Sequence, residues 1–311
     1  MTVAGTSDGG VGSTARVTDV SSGPAAALAA IFDSTATPVG VGDPLPPLWH
    51  WAALSGWPAA SGLRADGHPH DRALTGPPGF SRRMFGGGEI RLFGQALVGA
   101  RVHVTREVSD LVRKHGRSGT FYTAEAITRI CDDSGTVLIE ERQDILFRPE
   151  AQPSESNRLA PRDRPLVGSP LRRIEVGLWS YRTDPSLLMR FSAATSNPHR
   201  IHYDWPYATV VEGYPDLVVH GPLTILAAME VFRSQHPDRR VESVQHRGLR
   251  PLFVGADAHI VVSDTTPDQA PLQLAGRSKG FAVTELIVVD PNTAATDNPP
   301  HARMLVAHSP A

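Results

Sequence analysis

The sequence predicts an α+β protein built as two similar halves, each a helix followed by an antiparallel sheet that the helix covers. Three observations lead there. From Arg82 to Arg148 the segments EIRLFGQALVGARVHVTREV, GTFYTAEAITRICDD and TVLIEERQDILFR alternate apolar and polar residues, with turn signals at His115-Gly116 and Asp133-Ser134-Gly135. That period of two is the mark of a strand meander. The stretch from Phe191 to Gly221 lies between two helical patterns. Finally, Arg91-LFGQAL-Val98-Gly99-Ala100 matches Arg247-GLRPLF-Val254-Gly255-Ala256 without a gap, and Arg117-Ser118-x-x-Phe121 matches Arg277-Ser278-x-x-Phe281. Two matches in the same order indicate duplication, and a sheet with one apolar face needs a covering helix in each copy.

Taken in order, residues 1–22, rich in Gly, Ser and Thr, read as a disordered tail, and residues 23–149 as the first domain. Ala25–Phe32 is expected as a short helix. Pro44–Leu54 is expected as a second, with Leu48, Trp51 and Leu54 on one side and Trp49 and Trp51 in the core. The Gly/Pro-rich run 56–79 reads as loop. His68 and His70 lie in it without a carboxylate or third ligand at usable spacing, so they are read as solvated and no metal is expected. Residues 150–170 have linker composition, and 171–311 form the second domain.

In that second domain, Asp184 can cap a helix whose first turn takes Pro185 and whose apolar residues Leu187, Leu188, Phe191 and Ala194 recur at helical spacing. Asn197-Pro198 ends it, since a residue before proline is pushed out of the helical region. Asn197, His199, Arg200 and His202 then follow on a constrained segment. Gly221-Pro222 opens a further helix, LTILAAMEVF, whose free N-terminal amides can stabilise an oxyanion. An imidazole beside such an amide suits proton transfer alpha to a carbonyl.

With 311 residues there is enough chain for one large or two ordinary domains, and 30 basic against 32 acidic residues leave a net charge of −2. That balance gives no electrostatic reason to expect nucleic acid or an anionic membrane, and favours a small-molecule partner. Cys131 is the single cysteine, so no internal disulfide forms and a reducing cytoplasm fits. No apolar run is long enough to span a bilayer, and a signal peptide is not expected.

The segment FSAATSNPHRIHYDWPYA resembles the signature of MaoC-like enoyl-CoA hydratases and 3-hydroxyacyl-thioester dehydratases, which have the hot-dog fold, a sheet wrapped round a central helix. Together with PLPPLWHW, RRMFGGGEIRLFGQALVGARV, GRSGTFYTAEAITRI and EERQDILFR, the chain resembles, over roughly residues 40–265, the type-2 hydroxyacyl-thioester dehydratase group that includes 3-methylfumaryl-CoA (mesaconyl-CoA) hydratase. The resemblance implies a double hot-dog, a pseudo-dimer within one chain that can dimerise further. The family pattern F-x-x-x-S-G-D-x-N-P-I-H-x-D-x-x-Y-A, laid on without gaps, puts the catalytic histidine on His202 and the usual catalytic Asp on Asn197.

An amide cannot take a proton as a carboxylate can, so His202 is expected to carry the acid–base work while Asn197 orients water. The Gly221 amide is expected to hold the thioester oxygen, and His199, Arg200, Tyr207 and His220 to line the substrate. The first half contains no counterpart of NPHRIH and is read as catalytically degenerate. The implied activity is a hydro-lyase acting on a CoA thioester, 3-methylfumaryl-CoA to citramalyl-CoA, with CoA as part of the substrate and no cofactor. Arg200 or Arg247 would meet the free carboxylate. Two alternatives stay open: a 3-hydroxyacyl-thioester dehydratase of fatty-acid or polyketide metabolism, and a non-catalytic acyl-CoA-binding protein, the latter motivated by Asn197 and Asp216.

Overall fold

The structure, a computed structural model, describes residues 12–34, 37, 39–116, 119–150, 167–265, 281–291 and 299–310. The first half comprises β1 (Gly12–Asp19), α1 (Ser22–Ile31), α2 (His50–Ala53), β2 (Arg82–Leu92), β3 (Arg101–Val108), β4 (Val112–Gly116), β5 (Gly119–Cys131) and β6 (Val137–Arg148). The second comprises β7 (Leu171–Glu175), β8 (Leu178–Tyr181), α3 (Pro185–Ala194), α4 (Gly221–Gln235), β9 (Arg239–Gly248), β10 (Ala258–Thr265), β11 (Ala282–Val289) and β12 (Ala302–Pro310). All the described strands join one antiparallel sheet in the order β1-β3-β5-β6-β2-β9-β12-β11-β10-β8-β7, with β4 on β5. The halves meet edge to edge where β2 pairs with β9. The glycine run permits this: at Gly87, φ +150, a Cβ would lie 2.5 Å from the His246 carbonyl oxygen of β9.

The expected α+β architecture of a double hot-dog is present. In the second half α4 is the central helix, buried continuously from Leu223 to Phe232 and packed on β9, β10, β11 and β12. A helix apolar on nearly every side can sit only where a sheet wraps it. Two polar residues of α4 enter that core: Thr224, which bonds back to the His220 carbonyl, and Glu230, which is fully engaged. It accepts from Trp49 Nε1 (2.9 Å), Ser34 Oγ (3.1 Å) and Arg233 (2.8 Å), tying α4 to the first half.

The duplication is visible in the backbone. Pro44 bridges to Leu97 as Val218 bridges to Phe253. The flanking bonds correspond, Leu45 N to Ala96 O with Val219 N to Leu252 O, and Val98 N to Asp43 O with Val254 N to Leu217 O. Likewise α1 corresponds to α3: Asp33 and Ser196 both have positive φ, and Ser34 N to Ala29 O matches Asn197 N to Ser192 O. Across α1 and α3 Ser34 stands where Asn197 stands, and across the two bridges Pro47 stands where Gly221 stands. Proline has no N–H to offer, so the first half has no backbone donor at the position of Gly221.

Several expectations need correction. Residues 12–22 are not tail: Gly12–Asp19 pairs along β3, and Ser22 opens α1; residues 1–11 lie outside the described residues. The helix expected at Pro44–Leu54 shrinks to His50–Ala53, because Leu48 takes a left-handed φ of 69° that breaks helical continuity. Of the two tryptophans expected in the core, Trp49 is fully buried, whereas Trp51 is half-buried and donates to Glu141 (2.7 Å). Most of the expected linker, residues 151–166, and the Arg117-Ser118 and Arg277-Ser278 pairs of the second repeat match lie outside the described residues.

Candidate active site

The site is assembled on α3, the segment after it and the start of α4. Asp184 caps α3 as its spacing implied, accepting from Leu187 N at 2.9 Å. The helix ends at Thr195, and Ser196 turns the chain with φ 49°. Beyond it the Asn197 side chain accepts the His199 N–H at 3.2 Å. A backbone N–H can face only the oxygen of an amide, so Oδ1 is held by its own loop and Nδ2 is the group left to act as a donor.

His202 ends a short 3-10 turn, Arg200–His202, and is 7% exposed. Its Nδ1 lies 2.7 Å from the Val218 carbonyl oxygen. A carbonyl only accepts, so Nδ1 carries the proton and Nε2 bears a free lone pair. Burial lowers its pKa to about 4, which keeps the ring neutral and able to act as a base at neutral pH. His220 stacks on it, 3.6 Å between ring centroids and 21° between planes, and is itself held by Ser192 Oγ at 2.8 Å. Both rings are buried and both pKa values are lowered chiefly by desolvation, so the stack is of two neutral imidazoles. His220 also caps α4, which places the Gly221 amide in the first turn with no intrahelical acceptor.

His199 lies edge-on to His202, centroids 5.4 Å apart at 90°, and its other face meets His68 at 4.0 Å. The expected solvated His68 is thus wrong: it is 8% exposed and bonded through Nδ1 to Asp66 at 3.3 Å. The loop that carries it clamps the segment 198–200. Arg200 N donates to Asp66 O (2.9 Å), Arg200 NH1 to Ala65 O (3.0 Å), and Gly67, at φ +93, packs against the Pro198 carbonyl. Asp66, His68 and His199 can each offer a ligand atom within 4.8 Å of the others, a grouping that no spacing in the sequence revealed. Of the described residues they are the ones placed to hold a metal ion, though Arg64 and Arg83 contribute positive potential there.

The other candidates divide. Arg200 is committed to structure: it bonds Asp204 (2.9 and 2.8 Å) and lies 4.2 Å over the Tyr207 ring, while Tyr207 donates to Glu212 at 3.2 Å. These bonds tie both side chains to the segment that follows His199. Arg247 is exposed at the end of β9 and does not face this site. A residue the sequence reading missed is Phe85 of β2, whose Cδ1 would lie 2.8 Å from a Cβ placed on Gly221. Its ring stacks on His246 (5.1 Å, 10°) and meets Trp51 edge-on (6.1 Å). These three rings form an aromatic wall beside the Gly221 amide, backed by Glu141, which accepts from Trp51 and Gln143 and faces His50. The first half therefore supplies one side of the candidate site.

A neutral base, an open helix N-terminus and an amide donor, gathered beside an apolar wall, can add water to a polarised double bond or remove it. Known proteins agree. The family model for hydroxyacyl-thioester dehydratase type 2 matches residues 48–254. A mesaconyl-C(4)-CoA hydratase of Chloroflexus aurantiacus is 37% identical over 238 residues, covering 76% of each chain. The mitochondrial hydroxyacyl-thioester dehydratase type 2 of Schizosaccharomyces pombe is 26% identical over 267 residues, 76% of this chain and 86% of that one. Among solved structures, a MaoC-like dehydratase superposes with a TM-score of 0.66 at 13% identity, covering 97% of this chain and 98% of that one. A Mycobacterium tuberculosis protein described as having a double hotdog fold gives 0.54 at 16%, covering 98% and 97%. The chain belongs to the hydroxyacyl-thioester dehydratase type 2 family, and is thereby a carbon–oxygen lyase of the hydratase and dehydratase kind.

Proposed function

We propose that the protein hydrates the double bond of a short unsaturated diacyl-CoA thioester, 3-methylfumaryl-CoA to citramalyl-CoA, or runs the reverse dehydration. The observation that carries the reading is the locked tautomer of His202, whose Nδ1 is spent on Val218 O so that Nε2 faces its work unprotonated. Nε2 takes a proton from water as the water oxygen bonds to Cβ. The π electrons move to Cα and the thioester carbonyl, and the Gly221 amide receives the enolate oxygen. The imidazolium then returns its proton to Cα, so one water is added and the base is regenerated. Asn197 holds the water by donating from Nδ2, and His199 and His220 keep the His202 ring in place from two sides. The reaction asks for acid–base groups and an oxyanion donor, so the proposal includes no metal or prosthetic group, and CoA enters with the substrate.

The diacid substrate is supported by the name and identity of the Chloroflexus relative. A second reading, a 3-hydroxyacyl-thioester dehydratase of longer chains, is favoured by the Schizosaccharomyces relative and would use the same groups. The test is a panel of 3-methylfumaryl-CoA, crotonyl-CoA and longer enoyl-CoA esters, followed by loss of conjugated thioester absorbance, with His202→Ala alongside. Preference for the diacid ester, abolished in the variant, supports the proposal. Preference for longer chains moves it to the second reading, and binding without turnover of any ester leaves an acyl-CoA-binding protein. Among the described residues no helix is long and apolar enough to cross a membrane. We place the protein in a reducing cytoplasm, and its terminal strands β1 and β7 leave edges through which a homodimer can form.

A further inference from the structure

A diacyl thioester has a free carboxylate that must be met when it leaves water, and the cations first considered for that task are unsuited to it. Arg200 is bonded to Asp204 and Ala65 O, and Arg247 is exposed. Arg82 is bonded to Glu212 at 2.5 Å and lies over Tyr214. Arg91 is bonded to Glu89 at 2.9 Å. Arg83 differs from all of these. It is half-buried and makes no direct hydrogen bond or ion pair among the described residues; the carboxylates of Asp66 and Asp71 act on it at longer range. A guanidinium withdrawn from water without an acceptor is unfavourable unless something else supplies one.

Its position in β2 says what that could be. Residues two apart on a strand share a face, so Arg83 projects on the same side as Phe85, the residue that touches the Gly221 position. Their cross-strand partners, Phe147 and Ile145, are both buried, which identifies this as the inward face. Arg83 also lies close enough to the catalytic segment for its charge to depress the pKa of both His68 and His199. It therefore lies on the inward face shared with Phe85, toward the loop of Asp66 and His68 and the His199 side of the site. Two strand residues span about 6–7 Å. In a four-carbon diacyl group the two carbonyl carbons are three bonds of about 1.5 Å apart, so their outer oxygens reach about the same span.

Resting on the diacid reading above, we propose that Arg83 is the specificity-determining residue of this site: its guanidinium receives the free carboxylate of a short diacyl thioester whose carbonyl oxygen lies on the Gly221 amide. The planar fork of arginine matches a carboxylate in bidentate fashion. Burial also lowers the Arg83 pKa, to about 10, as befits a cation that is partly desolvated before its anion arrives.

The test compares wild type, Arg83→Gln and Arg83→Lys on 3-methylfumaryl-CoA and crotonyl-CoA, with melting temperatures to confirm folding. Arg83→Gln should lose roughly 10²-fold in kcat/KM on the diacid ester and less than about 3-fold on crotonyl-CoA, which has no second carboxylate; Arg83→Lys should recover part of the loss. Equal losses on both esters, as a partner on the CoA phosphates would cause, overturn the proposal, and so does an unchanged diacid rate in Arg83→Gln. If Arg83→Gln does not fold, Arg83→Lys decides alone, by whether it weakens the diacid ester selectively. A wild-type enzyme that hydrates crotonyl-CoA but ignores the diacid ester overturns the substrate reading itself, and that result is read from the wild-type rates without any variant.

Discussion

Gly67→Ala tests whether the loop of the degenerate half positions the catalytic segment. A Cβ at residue 67 would lie 2.8 Å from the Pro198 carbonyl carbon and closer still to its oxygen, and φ there is +93. Carbon–carbon contact needs about 3.5 Å, so Pro198 or the loop must give way by roughly 1 Å. Neither atom is the free end of a flexible side chain, because both belong to the backbone that carries His199 and His202. Left-handed backbone adds about 1–2 kcal/mol for a residue with a Cβ. A displacement of about 1 Å in a positioning segment can cost about 10²-fold in rate, so kcat should fall by about that factor. The melting temperature should drop by only a few degrees, at about 2–4 °C per kcal/mol for a chain approaching this size. Hydration of the best ester, measured beside thermal unfolding, separates the two effects. A folded Gly67→Ala protein with the wild-type kcat would refute the idea that this loop sets the catalytic geometry.

Other outcomes follow from the same structure. Removing the base in His202→Ala should lower kcat by about 10²–10⁴-fold while leaving thioester binding, read by calorimetry, nearly unchanged. Stability should depend on acid pH in a definite direction. His202 and His246 are both held neutral, with pKa values lowered by burial to about 4 against 6.5 when exposed. The unfolded chain therefore binds more protons between those limits, so stability is full above about pH 6.5 and falls as the pH drops through 4, by on the order of 3 kcal/mol for each ring. Urea midpoints that stay flat from pH 7 to 4.5 would contradict this. Glu141 is buried and its pKa is held down by the His50, Trp51 and Gln143 hydrogen bonds against the opposing effect of desolvation. Glu141→Leu strands those donors and should cost about 3–5 kcal/mol in the urea unfolding free energy.

The chemistry of the second half was legible because it is local. Asp184, Pro185 and the apolar spacing define α3, which stops at Ala194, just ahead of Asn197-Pro198; Gly221-Pro222 opens α4; and each signal acts within a few residues of itself. The strand meander of the first half was equally plain from its period of two. Misreadings arose where long-range pairing overrode composition. Gly12–Asp19 has the residues of a tail, yet β3 offers a free edge for it. His68 sits in a Gly/Pro-rich loop and reads as solvated, until His199, remote in the chain, covers it. Arg200, attractive as an anion partner on a polar segment, is taken up by Asp204 and the Ala65 carbonyl.

Short-range patterns thus determined α3, α4, the meander and the duplication, since caps and periodicity are properties of neighbouring residues, while His202 was singled out by its resemblance to a family signature. Tertiary structure alone decided the His202 tautomer, through Val218 O, and the place of Pro47 in the register of Gly221. It alone also brought Phe85, His68 and Arg83 of the first half to the candidate site of the second. The physical reason is that pairing β2 with β9 makes one sheet of two, and residues on its inward face become neighbours across a separation no sequence window spans.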